Sequence, residues 1–228
     1  MTFINKDKTL CFVHVPKTGG RSITDFLTQQ IAEPGLSEGF SMKEYRHLSG
    51  NPYASEGHIP YHHIKKEFPE ACQNWSAFAV IRHPVERAMS AFKHHNPVHG
   101  SCRSSLSRWV NEMEKKSSTS EWEKFSWWDA YKSGMRCITT HFVPQSFFVD
   151  ETDDITLFSF DNLPTVPEWI KQQLLKKGSQ PSRIYADRKI KHIGKSHPGY
   201  DLEFNPDEIT RLEEIYSEDF KLWSKARR

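Results

Sequence analysis

One stretch near the amino terminus constrains this chain more than any other: Leu10-Cys11-Phe12-Val13-His14-Val15-Pro16-Lys17-Thr18-Gly19-Gly20-Arg21-Ser22-Ile23. Its apolar start predicts a buried strand, and Pro16 and Gly19-Gly20 interrupt it. Ile23, Phe26, Leu27 and Ile31 then recur at the spacing of one helical face. A strand, a glycine turn and a helix leave the first N–H groups of the helix without intrahelical acceptors, and these suit an anion. Glycine lets the backbone approach a ligand, Lys17 adds a mobile charge, and Thr18 and Ser22 add hydroxyls. The stretch therefore reads as an oxyanion cradle, and its plainer alternative is a strand-to-helix turn with an exposed lysine. A Walker A loop is excluded, because there the lysine follows the second glycine.

A second strand is predicted over residues 75–81, Trp-Ser-Ala-Phe-Ala-Val-Ile, whose continuous apolar character suits a central parallel strand. It ends at Arg82-His83-Pro84, and proline is favoured at a first helical position. Val85, Ala88, Met89 and Phe92 then form an apolar helical face. Arg82 falls at the strand's carboxyl end, where open α/β sheets bind ligands, and Ser90 lies about two helical turns on. A guanidinium fork can take two phosphate oxygens at once. A strand-capping arginine and a surface serine are the alternative.

The order Pro-Lys-Thr-Gly-Gly-x-Ser, Pro16 to Ser22, resembles the 5′-phosphosulfate loop of sulfotransferases that use 3′-phosphoadenosine 5′-phosphosulfate (PAPS). It is most similar to the carbohydrate branch that includes the heparan 2-O- and chondroitin 4-O-sulfotransferases. The Arg82-x7-Ser90 segment resembles that family's 3′-phosphate motif. The resemblance implies that Pro16, Lys17, Thr18, Gly19, Gly20, Arg21, Ser22, Arg82 and Ser90 bind the cofactor. Gly57-His58 resembles the catalytic-base segment; histidine suits the task because it titrates near working pH. His62, His63 and Glu56 are stand-ins for His58, and His62 is also a candidate contact to substrate. His141-Phe142-Val143-Pro144-Gln145 resembles an acceptor-side segment, in which Gln145 can orient a hydroxyl by hydrogen bonds. His192-Ile193-Gly194-Lys195-Ser196 partly matches a cofactor segment; Gly194 replaces its asparagine, and Lys195 and Ser196 are the candidate contacts. The terminal Ile215-Tyr216-Ser217-Glu218-Asp219-Phe220-Lys221-Leu222 resembles the family's last helix.

Other features set bounds. A net charge of +2 gives no argument for a nucleic-acid partner. No run approaches the ~20 apolar residues of a membrane span, and residues 1–8 lack a signal-peptide apolar region. The expectation is a soluble, cytoplasmic chain, either a bacterial relative or one trimmed of an anchor. Cys11, Cys72, Cys102 and Cys137 form no Cys-x-x-Cys pair, so neither a disulfide scaffold nor a zinc ribbon is expected. His94, His95, His99 and Cys102 lie close in sequence but have no second tight ligand pair, and no metal is expected. Trp122, Phe125, Trp127 and Trp128 read first as core and second as a platform for a sugar. Residues 154–160 predict a further strand, 168–177 a short helix closed by Gly178, and Asn205-Pro206-Asp207-Glu208 a strong helix start. Ile209, Leu212, Ile215 and Tyr216 supply that helix's buried face.

The expectation is one sulfotransferase domain over residues 1–228, an α/β, P-loop-like three-layer fold with a central parallel sheet and helices on both faces. The implied reaction moves a sulfuryl group from PAPS to a hydroxyl of a carbohydrate or glycoconjugate, with adenosine 3′,5′-bisphosphate as product. His58 acts as base and Lys17 stabilises charge. The rival readings are a nucleotide kinase-like phosphotransferase, which needs Mg²⁺, and a non-catalytic module binding a nucleotide or sulfated glycan.

Overall fold

The structure is a computed structural model that describes residues 2–5, 7–30, 58–95, 103–118, 141–178, 190 and 203–228. Among the described residues, four strands form one sheet in the order β1-β2-β3-β4: β1 Phe3–Ile4, β2 Leu10–Val13, β3 Ser76–Ile81 and β4 Thr156–Ser159. The described α-helices are α1 Gly20–Gln30, α2 Tyr61–Glu67, α3 Pro84–His95, α4 Arg103–Ser118, α5 Val166–Lys176, α6 Pro206–Ile215 and α7 Ser217–Ala226.

The sheet is mixed, which corrects the expectation of a parallel one. β2 runs parallel to β3 with Phe12 opposite Phe78, and β3 runs parallel to β4 with Ala79 opposite Leu157. β1, however, is antiparallel to β2, with Phe3 opposite Phe12. The cause is local. The Asn5 carboxamide oxygen accepts the N–H groups of Thr9 and Leu10, each at 2.8 Å, and Lys8 adopts a left-handed φ of 52°. So tight a reversal joins only antiparallel neighbours, because parallel strands need a long crossover.

The continuous apolar character of β2 and β3 follows from burial on both faces. Cys11, Val13, Ala77, Ala79 and Ile81 turn to one side, where Tyr61 and Ile64 of α2 and Leu222 and Ala226 of α7 complete a core. Leu10, Phe12, Phe78 and Val80 turn to the other, against Ile23, Phe26 and Leu27 of α1 and Ile170 and Leu174 of α5. Helices thus cover both faces. A third cluster joins α3, α4 and α6 through Phe92, Trp109 and Leu212.

The predicted start of α6 is present as a reciprocal cap. Asn205 accepts the Glu208 N–H at 2.8 Å, while Glu208 accepts the Asn205 N–H at 3.0 Å. The face expected of this helix, Ile209, Leu212, Ile215 and Tyr216, packs in that third cluster, and the helix ends at Tyr216, whose hydroxyl donates to the Phe142 carbonyl at 2.8 Å, before α7 begins. Gly178 closes α5 with a φ of 74°, as its position predicted.

Candidate active site

β2 ends at Val13 and α1 begins at Gly20, so residues 14–19 form the turn between them. Val15, Pro16 and Thr18 are buried, which anchors the turn. The Thr18 hydroxyl donates to the Val15 carbonyl at 2.9 Å, so its proton closes the loop instead of facing outward. Lys17 has a φ of 66° and Gly19 of 82°. Left-handed backbone costs a side-chain-bearing residue on the order of 1–3 kcal/mol, and such strain clusters at ligand sites. Among the described residues, the N–H groups of Lys17, Thr18, Gly19 and Gly20 meet no acceptor. Burial, followed by the neighbouring Arg82 and Arg21, lowers the Lys17 ammonium to about 8. Three cations beside open amides give a site that attracts a multiply charged anion.

Behind this loop lies a row of histidines. The His14 and His58 ring centroids are 4.3 Å apart, His58 and His141 are 5.4 Å apart, and His141 and His94 are 5.2 Å apart. Nδ1 of His58 lies 2.9 Å from the His14 carbonyl oxygen. A carbonyl only accepts, so the proton sits on Nδ1 and Nε2 carries the lone pair. Burial holds the His58 imidazole down at about 4 and holds His14 well below its usual value. Both rings are neutral at ordinary pH. Gly20 makes room for this arrangement: a Cβ there would stand 1.9 Å from the His14 ring.

Arg82 follows β3. Its guanidinium carbon lies 4.6 Å from the centre of the Phe160 ring, and its Nε donates to Glu86 at 3.3 Å. Phe160 also packs on the loop, since a Cβ on Gly19 would lie 3.0 Å from its ring. The same aromatic ring therefore contacts the glycine turn and Arg82. Arg82 and Ser90 line one cavity of about 440 Å³, together with His83, Lys93 and Phe204.

Gln145 is fully buried, and its carboxamide is committed to the backbone of Arg82. Its Oε1 accepts the Arg82 N–H at 3.0 Å, and its Nε2 donates to the Arg82 carbonyl at 2.9 Å. His62 is exposed and lines a different, larger cavity of about 840 Å³ with Phe147 and Asp153. That cavity includes none of Lys17, His58 or Arg82, and its carboxylates Asp150, Asp153, Glu214 and Glu218 do not suit a polyanion.

The structure thus brings Lys17, Arg21 and Arg82 within electrostatic range, and places His141 beside His58. It leaves His62 apart from them. Lys195, Ser196, His192, Glu56, His99, Cys102 and the cluster Trp122, Phe125, Trp127 and Trp128 lie outside the described residues. Among the described residues, no group of three or more His, Cys, Asp or Glu side chains gathers as metal ligands, and no helix is long and apolar enough to cross a membrane. Sequence reasoning missed His14, Phe160 and the Arg87–Asp219 pair. His14 left one trace, a polar residue closing an apolar strand immediately before the glycine turn.

A family model described as "Sulfotransferase family" matches residues 1–226. Neither the curated proteins nor the solved structures gave a match. A match over nearly the whole chain agrees with a loop that presents open amides and cations to an anion, and the chain belongs to the sulfotransferase family.

Proposed function

We propose that this protein transfers a sulfuryl group from PAPS to a hydroxyl of a carbohydrate or glycoconjugate, on a P-loop-like fold. The observation that carries the reading is the juxtaposition of an open, strained, lysine-bearing loop with a neutral histidine of fixed tautomer. The unsatisfied amides and the Lys17, Arg21 and Arg82 charges fit an adenosine 3′-phosphate 5′-phosphosulfate well. When bound, PAPS supplies the sulfuryl group and leaves as adenosine 3′,5′-bisphosphate.

The chain's own residues then have distinct tasks. The His58 Nε2 lone pair accepts the proton of the acceptor hydroxyl as that oxygen bonds to sulfur. The His14 carbonyl keeps Nδ1 protonated and so keeps the base in its accepting form. Lys17 and the loop N–H groups receive the charge that collects on the sulfuryl oxygens and on the phosphate oxygen released from sulfur. Aimed donors of this kind are usually the largest catalytic term, worth about 10²–10³ in rate for a single donor. Arg82 and Ser90 hold the 3′-phosphate, and Lys195 and Ser196 are further candidate contacts. His141, packed on His58, and His62 are the candidate acceptor contacts. The carbohydrate class rests on the resemblance of the Pro16–Ser22 loop and of the 141–145 segment to the carbohydrate branch.

The test is incubation of the protein with PAPS and a pool of hydroxylated carbohydrates, followed by mass spectrometry. The expected result is a product heavier by one SO₃, with stoichiometric release of adenosine 3′,5′-bisphosphate. Modification confined to non-carbohydrate hydroxyls would overturn the acceptor class. Failure to consume PAPS across broad acceptor pools would overturn the reaction.

A further inference from the structure

Gln145 sits at the junction of three parts of the molecule, and its bonds have a direction. Its own main-chain N–H donates to Asp219 of α7 at 2.8 Å, and the next N–H, of Ser146, donates to the other carboxylate oxygen at 2.9 Å. Asp219 in turn lies 3.6 Å from Nη2 of Arg87, and both side chains are fully buried. Arg87 fixes the same segment from the α3 side, donating to the carbonyls of His141 at 3.1 Å and Val143 at 3.0 Å. The backbone of residues 141–146 is therefore clamped at both ends. From it the Gln145 side chain reaches to the Arg82 peptide and satisfies both its N–H and its carbonyl.

Arg82 follows the last residue of β3, so strand pairing no longer fixes the two peptide units that flank its Cα. Those two units, one carrying the Arg82 N–H and the other its carbonyl, set the direction in which the side chain leaves the backbone. The carboxamide oxygen accepts the Arg82 N–H while its NH2 donates to the Arg82 carbonyl, a pairing met in only one sense, so the contact fixes orientation as well as position.

We propose that Gln145 is a positioning residue for the cofactor's 3′-phosphate: it holds the Arg82 backbone on both sides of its Cα so that the guanidinium meets that phosphate, with Asp219 and Arg87 as its anchor. This inference rests on the sulfotransferase reading, in which Arg82 binds the 3′-phosphate. It also separates Gln145 from direct contact with the acceptor, because the side chain is fully buried with both ends of its amide on the Arg82 backbone.

The experiment measures affinity for adenosine 3′,5′-bisphosphate and for AMP by calorimetry, on the whole chain, in wild type, Gln145→Leu, Gln145→Glu, Arg82→Ala and the double variant Arg82→Ala/Gln145→Leu. Gln145→Glu keeps the volume and the acceptor for the Arg82 N–H but sets an oxygen against the Arg82 carbonyl, so it provides a folded variant if the leucine does not. The wild type should prefer the bisphosphate. Both Gln145 variants should reduce that preference about tenfold, the scale of one well-placed charged hydrogen bond. In the Arg82→Ala background, Gln145→Leu should change the ratio no further, since residues acting through one contact are not additive. A role in packing alone would weaken both nucleotides equally and leave the ratio intact, which would overturn the proposal. A ratio that falls again in the double variant would also overturn it. If the wild type itself shows no preference, the assignment of a 3′-phosphate site fails at its base, a result distinct from failure of Gln145 alone.

Discussion

Lys17 shows how one residue joins charge to backbone strain. Burial and two neighbouring guanidinium groups lower its ammonium to about 8, so a bound anion would restore the proton by supplying the missing counter-charge. Affinity for adenosine 3′,5′-bisphosphate should therefore fall as pH rises through about 8, as the free protein loses a charge that the complex keeps. Calorimetry across pH 7–9.5 checks this, and Lys17→Met should flatten that part of the profile. An unchanged slope in Lys17→Met would assign the titration to another group. The lysine, glycines and arginine of this site were legible in the sequence because each carries its chemistry in a local pattern. His14 and Phe160 were not, since one reads as the end of the first strand and the other as the end of the strand expected over residues 154–160. Their roles come from ring contacts across the fold. Gln145 reads in the sequence as a candidate contact to the acceptor hydroxyl, and its partner was not legible, because only tertiary packing sets Arg82 against it.

The central element is the β2–turn–α1 unit, and Gly20 links its geometry to the base. A methyl group at Gly20 would collide with the His14 ring, whose carbonyl holds His58. Gly20→Ala should destabilise the protein by about 1–3 kcal/mol, the usual cost of overpacking, and should depress turnover as His14 moves. Adding His14→Ala removes the colliding ring and should recover part of the stability without restoring full turnover. Chemical denaturation and steady-state kinetics on the two variants check this. Additive loss of stability in the double variant would show that the ring is not the obstacle. Strands and helices were readable from periodicity in β2, β3, α5 and the α6 cap. The antiparallel β1 was not, because two residues carry no periodicity and its direction is set by the Asn5 turn.

At the scale of the molecule, two buried features tie stability to the site. The Arg87–Asp219 pair joins α3 to α7 and clamps residues 141–146. Removing one member leaves a buried charge alone, so Asp219→Ala should cost about 3–5 kcal/mol in denaturant unfolding. Lys221→Ala, which breaks an exposed pair with Glu218, serves as the control and should change little. The second feature is the pair of neutral histidines. Burial lowers His58 and His14 below an unfolded value near 6.5, so the unfolded chain binds more protons at acid pH. Their contribution is fully present above pH 6.5. It should be lost as pH falls from 6.5 toward about 4, with His58 alone accounting for about 3 kcal/mol. Unfolding midpoints measured from pH 7 to 4 check the sign, and His58→Phe should reduce the slope. Midpoints that stay flat over that range would remove the argument that these rings are buried neutral.

The central claim is that His58 takes the acceptor's proton while the loop and Arg82 hold the cofactor. It is tested most directly by comparing wild type and His58→Ala on one confirmed acceptor, with turnover and adenosine 3′,5′-bisphosphate affinity measured on the same preparations. Turnover should fall by about 10²–10⁴, the usual contribution of a positioned acid–base group, with bisphosphate affinity nearly unchanged. Near-normal turnover in His58→Ala would contradict the account and move the base to another side chain.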